Sequence, residues 1–156
     1  HKKFRKSRMK NNKLTTQIIS GKYKGRKLEL PSLEVTRSSK SRLKESFFNV
    51  LQFDIIDKVF IEAFAGSGSI GLEAVSRGAK KSYFVEINRN SYGILNKNCR
   101  SIDNGVCETH LGDTFEKLPN ILNSLKNVDD ELIVYIDPPF DYRDGMSDIY
   151  EKSFDI

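Results

Sequence analysis

The 156-residue sequence predicts an α/β fold, a doubly wound and mostly parallel sheet with helices on both faces. Three observations predict it. Apolar runs of strand length at 59–64, 82–87, 106–111 and 132–136 alternate with segments of helical length and spacing at about 69–77, 89–101 and 114–126. A Gly-x-Gly-x-x-Gly run closes the first of those strands. A carboxylate stands at or just past the end of each strand candidate, the edge at which open α/β sheets bind their ligands.

The elements follow in order. Residues 1–15 read as a flexible basic arm, rich in Lys, Arg and Asn. The text changes at Thr16. Gln17-Ile18-Ile19 and Lys27-Leu28-Glu29-Leu30 flank a basic, glycine-containing stretch from Ser20 to Arg26, which reads as a hairpin extension over 16–30. Leu43, Phe47, Val50 and Leu51 recur at helical spacing within 40–53. Residues 31–156 form the core, so that 16–156 make one domain. The chain stops about 20 residues beyond the fourth core strand, at Phe154-Asp155-Ile156, which resembles the entry to a fifth strand. The core therefore reads as truncated.

Composition excludes several classes. The chain is 38% hydrophobic and 30% charged, and no apolar run reaches the roughly 20 residues of a membrane span. The N-terminus lacks a signal-peptide apolar region, which places the chain in the cytoplasm and off the membrane. Cys99 and Cys107 are too few for a disulfide framework, and with His1 and His110 they give no metal-ligand spacing. They read as buried or half-buried thiols in a reducing compartment, with no metal expected. Charge is unevenly spread. Residues 1–30 carry 11 Lys and Arg against one acid, while 31–156 carry 15 against 20. A basic arm on a mildly acidic body is the electrostatic footprint of a polyanion partner, RNA or DNA first.

The glycine loop lies in Glu62-Ala63-Phe64-Ala65-Gly66-Ser67-Gly68-Ser69-Ile70-Gly71. Glycine permits a tight turn and close ligand approach, and the next helix offers its first amides. Glu86 ends the second strand 20 residues after Gly66, where a carboxylate can accept both ribose hydroxyls. Dinucleotides and S-adenosylmethionine both use this architecture. Glu62 favours S-adenosylmethionine, because a carboxylate there can reach a cationic amino end. Asp113 ends the third strand, within reach of an adenine amino group, although a helix cap or solvated charge accounts for it equally well alone. The candidate cofactor set is Glu62, Phe64, Ala65, Gly66, Ser67, Gly68, Gly71, Glu86, Ile87, Asp113, Thr114 and Asp137.

Asp137-Pro138-Pro139-Phe140 follows the fourth strand, expected to be a buried one. Two prolines stiffen the backbone and give up N–H donors while keeping carbonyl acceptors. Acceptors beside an aromatic face suit a planar group bearing an amine, such as a nucleobase. An ordinary Pro-Pro turn is the plain alternative.

These segments resemble the RsmD family of bacterial 16S ribosomal RNA guanine-N2 methyltransferases, from about Gln17 to Phe140. The resemblance rests on Ile18 to Leu28, on Thr36-Arg37-Ser38-Ser39 with Arg42 to Asn49, on Phe64 to Ala74, on Ser76-Arg77-Gly78-Ala79 and on Asp137-Pro138-Pro139-Phe140. The glycine loop and the Asp-Pro-Pro-aromatic motif are shared by many amino-methyltransferases, whereas the hairpin and Ser-Arg-Gly-Ala are far more specific. The chain departs from the family in Ser38, where Pro is usual, in Phe140 for the commoner Tyr, and in lacking the family's last strands.

The resemblance implies a Rossmann-like class I methyltransferase fold and S-adenosylmethionine as methyl donor. It implies 16S rRNA or a small-subunit assembly particle as partner, with the enzyme a monomer. Asp137, Pro138, Pro139 and Phe140 would be catalytic, and Lys22, Lys24, Arg26, Lys27 and Arg37 would hold RNA phosphates. Three other readings share features with this one. A DNA adenine-N6 methyltransferase shares both core motifs, but so short a chain leaves little room for a DNA-reading domain. A nucleotide-dependent oxidoreductase leaves Asp-Pro-Pro-Phe unexplained, and a noncatalytic RNA-binding protein leaves the acids unexplained.

Overall fold

A computed structural model describes residues 14–32 and 40–139. Arg37, Phe140, the expected fifth-strand entry and most of the basic arm lie outside these residues. The described elements are β1 (Thr15–Gln17), β2 (Lys27–Glu29), α1 (Lys40–Leu51), β3 (Val59–Glu62), α2 (Ser69–Ser76), β4 (Lys81–Glu86), α3 (Arg89–Ile102), β5 (Cys107–Leu111), α4 (Thr114–Ser124) and β6 (Leu132–Tyr135). Two 3-10 turns, Gln52–Ile55 and Asn104–Val106, complete them.

The core sheet has the order β5-β4-β3-β6 with every pair parallel. All four residues of β3 are buried, as a central strand covered on both faces requires. Alternate residues sort the helices by face. Phe60 packs with Phe48 of α1 and with Ile70 and Ala74 of α2. Phe84 packs with Leu95 and Cys99 of α3 and with Ile18 and Leu28 of the hairpin. Val59, Ile61, Tyr83 and Val85 point the other way, onto Ile121 and Leu125 beside α4. The doubly wound α/β architecture follows directly from this two-sided burial.

Several boundaries move. The first hairpin strand is Thr15–Gln17 rather than 17–19, with Thr16 opposite Leu28. Ile18 leaves the ladder, donates to the Arg26 carbonyl at 2.9 Å and buries its side chain in the core. Its apolar character marks docking rather than strand pairing. The first core strand ends at Glu62, so Phe64 lies in the loop, and Ile87 lies just past β4. Val106 belongs to a 3-10 turn started by Asp103, whose carboxylate accepts from the Gly105 amide at 3.1 Å.

The reading of 132–136 as a fully buried strand is corrected. Leu132, Val134 and Ile136, alternate residues on one face, are 36%, 37% and 46% exposed, while Ile133 and Tyr135 on the other face pack against the Phe60 cluster. β6 is also the edge strand among the described residues. Cys99 is buried and Cys107 half-buried, both as free thiols. The hydrogen bond between them, with burial, pushes the Cys99 thiol well above its ordinary range. No described helix is long and apolar enough to cross a membrane.

Candidate active site

Four parallel strands bring their carboxyl ends to one edge, and the backbone ties those ends together. The Ala63 amide donates to the Tyr135 carbonyl at 3.0 Å, joining the exits of β3 and β6. The Gly112 amide donates to the Glu86 carbonyl at 2.9 Å, joining β4 and β5. Thr114 closes the set through a hydroxyl donated to the Ala63 carbonyl. Glu62, Glu86, Asp113 and Asp137 thus stand on one edge, around the glycine loop.

Backbone amides fix three of these carboxylates. Glu86 accepts from Gly66 at 2.7 Å through one oxygen and from Asn88 at 2.9 Å through the other. Glu62 is fully buried and accepts from the Gly71 amide at 2.9 Å. Asp113 is the N-cap of α4 and accepts from the Phe115 amide at 3.3 Å. The cap accounts for why an acid stands there. A carboxylate offers about four lone-pair directions, so two amides leave Glu86 with accepting capacity for a ligand.

The three glycines divide their labour. Gly66 and Gly68 lie at φ 56° and 82°, the left-handed region that side chains disfavour. A Cβ on Gly68 would stand 2.5 Å from a Leu95 methyl, and one on Gly71 would stand 2.3 Å from the Phe84 ring. These two therefore serve the packing of α2 against α3 and β4. The turn around Gly66, beside Phe64 and the buried Ala65 and Ser67, could admit a ligand closely. Apolar surface is at hand on the same edge. Ile87 is 52% exposed and Phe115 36%, with the Phe115 ring edge-on to Phe64 at 6.2 Å. Nothing in the spacing of Phe115 separates it in sequence from an ordinary α4 core residue, which is why it is absent from the sequence-derived cofactor set. At the exit of β6, Asp137 and Pro139 are half-buried and Pro138 is buried.

The basic hairpin sits elsewhere. The Lys22 amide donates to the Ser76 carbonyl at 2.8 Å, and the Arg26 guanidinium donates to the Ser101 carbonyl. Ser76 and Ser101 are in the last turns of α2 and α3, which run antiparallel to the strands. The hairpin tip therefore lies at the sheet's amino edge, opposite Asp137. Lys22, Lys24, Arg26 and Lys27 are all exposed. Arg26 also satisfies a carbonyl at a helix C-terminus, a structural role for a cation beyond the one expected of it.

Of the residues that dock the hairpin, Ser76 lies in the Ser-Arg-Gly-Ala segment, whereas Glu73 and Asn98 carry no periodic signal in the sequence. Glu73 of α2 is fully buried and receives the amides of Ile19 at 2.9 Å and Ser20 at 3.0 Å. It also pairs with Arg77 at 2.8 Å and with the buried Lys44 at 3.2 Å. Burial pulls the Lys44 ammonium below its ordinary pKa, against the opposing pull of Glu73. The Ser76 hydroxyl accepts from the Tyr23 amide at 2.9 Å and donates to the Ser20 carbonyl at 2.6 Å. A Cβ on Gly21 would collide with the Ser76 carbonyl at 2.0 Å. Asn98 of α3 is the other anchor: its carboxamide donates to the Glu29 carbonyl at 2.9 Å and the Ser67 carbonyl at 2.8 Å. Buried polar residues far apart in sequence leave no periodic mark. Among the described residues, no cluster of His, Cys, Asp and Glu could hold a metal ion.

Comparison with known proteins gives a consistent result. The family profile described as "Conserved hypothetical protein 95" matches residues 16–153. Ribosomal RNA small subunit methyltransferase D of Haemophilus influenzae is 33% identical over 141 residues, covering 90% of this chain and 72% of that protein. The protein of the same name from Escherichia coli K12 is 33% identical over 124 residues, covering 80% of this chain and 60% of its own length. Among solved structures, a protein described as a methyltransferase from Escherichia coli superposes with a TM-score of 0.66 at 31% identity, covering 81% of this chain and 65% of that one. A protein described as a methylase from Haemophilus influenzae gives 0.61 at 30% identity, covering 88% and 72%. The chain thus spans between 60% and 72% of the length of these relatives.

Proposed function

This chain belongs to the RsmD family of ribosomal RNA small subunit methyltransferases, and from that premise we propose that it methylates the exocyclic N2 of a guanine in 16S rRNA with S-adenosylmethionine as donor. The observation that carries the proposal is the placement of three acids, Glu62, Glu86 and Asp113, and a Gly-rich turn on the edge that also bears Asp137-Pro138-Pro139. When bound, the cofactor supplies a methyl group activated by sulfonium.

The residues present fit that cofactor. Glu86 is held by two amides with its remaining lone pairs available to ribose hydroxyls. Asp113 and the Ile87 and Phe115 side chains offer an acceptor and apolar faces for adenine. Glu62 supplies negative charge beside the loop for an ammonium group, and the turn at Gly66 admits the ligand.

The guanine N2 lone pair is delocalised into the ring, which makes the amine a poor nucleophile. Asp137 and the Pro138 carbonyl accept its two N–H bonds, favour a more pyramidal nitrogen and aim its lone pair. Holding that nitrogen in line supplies much of the rate, since proximity and orientation alone can remove about 7–11 kcal/mol of a barrier. Asp137 would also be available to take the proton released after transfer. Phe140, next in sequence, would stack on a base turned out of its helix.

Calorimetry tests the cofactor assignment: S-adenosylhomocysteine should bind and NAD should show no comparable heat, whereas preference for NAD would refute the methyltransferase reading. The RNA surface has its own test. Neutralising Lys22, Lys24 and Lys27 should flatten the salt dependence of RNA binding by about 0.7–0.9 log units per log unit of salt for each phosphate no longer neutralised. S-adenosylhomocysteine affinity should not respond, because those side chains lie at the far edge of the sheet. An unchanged slope in a folded variant would mean that this charge is only solvated.

A further inference from the structure

Asn98 joins two parts of the molecule to which the proposed function gives separate tasks. Glu29 belongs to β2 of the basic hairpin, and Ser67 belongs to the cofactor turn, between Gly66 and Gly68. The Asn98 Nδ2 group donates to both carbonyls, at 2.9 and 2.8 Å, and its Oδ1 accepts from the Glu29 amide at 3.0 Å. The side chain is 3% exposed, so water is a poor substitute for any of these bonds. Leu95, one turn earlier on α3, packs against the position where a Cβ on Gly68 would stand, so the same helix braces the turn sterically. The hairpin's other anchor, Glu73, lies in the middle of α2, seven residues beyond Gly66 in sequence, and none of its side-chain bonds reaches the turn.

We propose that Asn98 is a positioning residue for methyl transfer, fixing the hairpin's β2 strand to the backbone of the cofactor turn so that RNA docking and cofactor binding reinforce one another. The inference rests on the proposed function, which assigns RNA to the hairpin and S-adenosylmethionine to the turn. A shift of backbone on either side that strengthens or weakens one of the Asn98 bonds is passed to the other carbonyl through the shared group, so each ligand biases the geometry that the other meets. Such coupling is reciprocal by thermodynamic necessity, and typical values between sites are about 5–150-fold in affinity.

The test measures S-adenosylhomocysteine affinity with and without saturating 30S particles from a strain lacking the corresponding methylation. The parent chain should bind at least about 5-fold more tightly with particles present. Asn98→Ala should bring that ratio close to one, and Asn98→Asp, which keeps the shape and the acceptor but loses the shared donor, should do the same. Asn96→Ala is the control. Asn96 lies on the same helix, accepts from the Thr109 hydroxyl at 2.7 Å and donates to the Tyr92 carbonyl at 3.1 Å, partners that belong to neither hairpin nor turn. Its replacement should lower melting temperature without lowering the coupling ratio. In single-turnover assays, Asn98→Asp should raise the half-saturating RNA concentration more than it lowers the rate at saturation.

Coupling that survives in both Asn98 variants overturns the inference, as does a parent chain that binds both ligands and methylates RNA without coupling them. A parent that binds no S-adenosylhomocysteine overturns the proposed function as well, and that result is distinguishable from the first two.

Discussion

Asp137→Ala is expected to slow single-turnover methyl transfer by about 10²–10³ while leaving S-adenosylhomocysteine affinity little changed. The magnitude is that of removing one preorganised hydrogen-bonding group aimed at the reacting centre, about 2.7–4 kcal/mol. The split between rate and affinity follows from position. The cofactor is assigned mainly to β3, β4 and the start of α4, through Glu62, Glu86 and Asp113, whereas Asp137 leaves β6, the outermost strand on that side among the described residues. Its neighbours reinforce the point. Pro138 is buried and fixes the backbone on which the carboxylate is presented, so alanine removes an acceptor without freeing the corner. Asp137→Asn separates the two tasks: it keeps one acceptor oxygen and removes the proton acceptor, so a rate between those of parent and alanine variant locates the contribution of charge. Near-normal turnover in Asp137→Ala would remove the mechanism.

The second large effect concerns stability. Glu73→Ala should destabilise the fold by about 3–5 kcal/mol, the usual result of removing one partner from a buried ion pair. For a chain of this size that corresponds to a fall in melting temperature of about 6–20 °C. The size follows from the number of donors left behind. Glu73 receives two backbone amides of the hairpin, the Arg77 guanidinium and the Lys44 ammonium, and Lys44 is only 2% exposed. Combining Glu73→Leu with Lys44→Met should recover part of the stability. It removes the stranded ammonium but leaves the Ile19 and Ser20 amides without their acceptor. Trypsin should cut the hairpin of Glu73→Ala at its exposed lysines well before it cuts the core. A melting temperature equal to that of the parent would show that the Glu73 bonds are not needed to hold the hairpin.

The sheet and the acids at its edge were legible because both leave local marks. A β-branched and aromatic run such as Val59 to Glu62 marks a central strand, and parallel strands must exit on one side. Strand ends were less legible by a residue or two, since Phe64 and Ile87 are apolar yet serve the loop edge rather than the ladder. The burial of 132–136 was misread because an apolar run does not say whether a neighbour covers both faces. Docking was invisible for a different reason. Glu73 and Asn98 take their meaning from residues more than 50 and more than 30 positions away, and a single charged or amide residue inside a helical stretch looks like solvated surface. Ile18 resembles a strand residue because burial, pairing and apolar composition are alike in a one-dimensional text. The glycine motif was recognised correctly as a turn, but the tight packing of two of its glycines against Leu95 and Phe84 left no mark in the sequence.

If RNA docks as proposed, the opposite placement of the hairpin tip and the Asp-Pro-Pro corner would make the protein a ruler. Strands of four to six residues separate the two edges, a distance of roughly 13–20 Å at about 3.3 Å per residue. No single nucleotide bridges that gap, so under the proposed function a guanine would be presented to Asp137 only when its RNA carried phosphates at the matching offset. Selection among guanines would then fall to the length and shape of the folded RNA between its two points of attachment, with the Glu73 and Asn98 anchors setting the tolerance of that measurement.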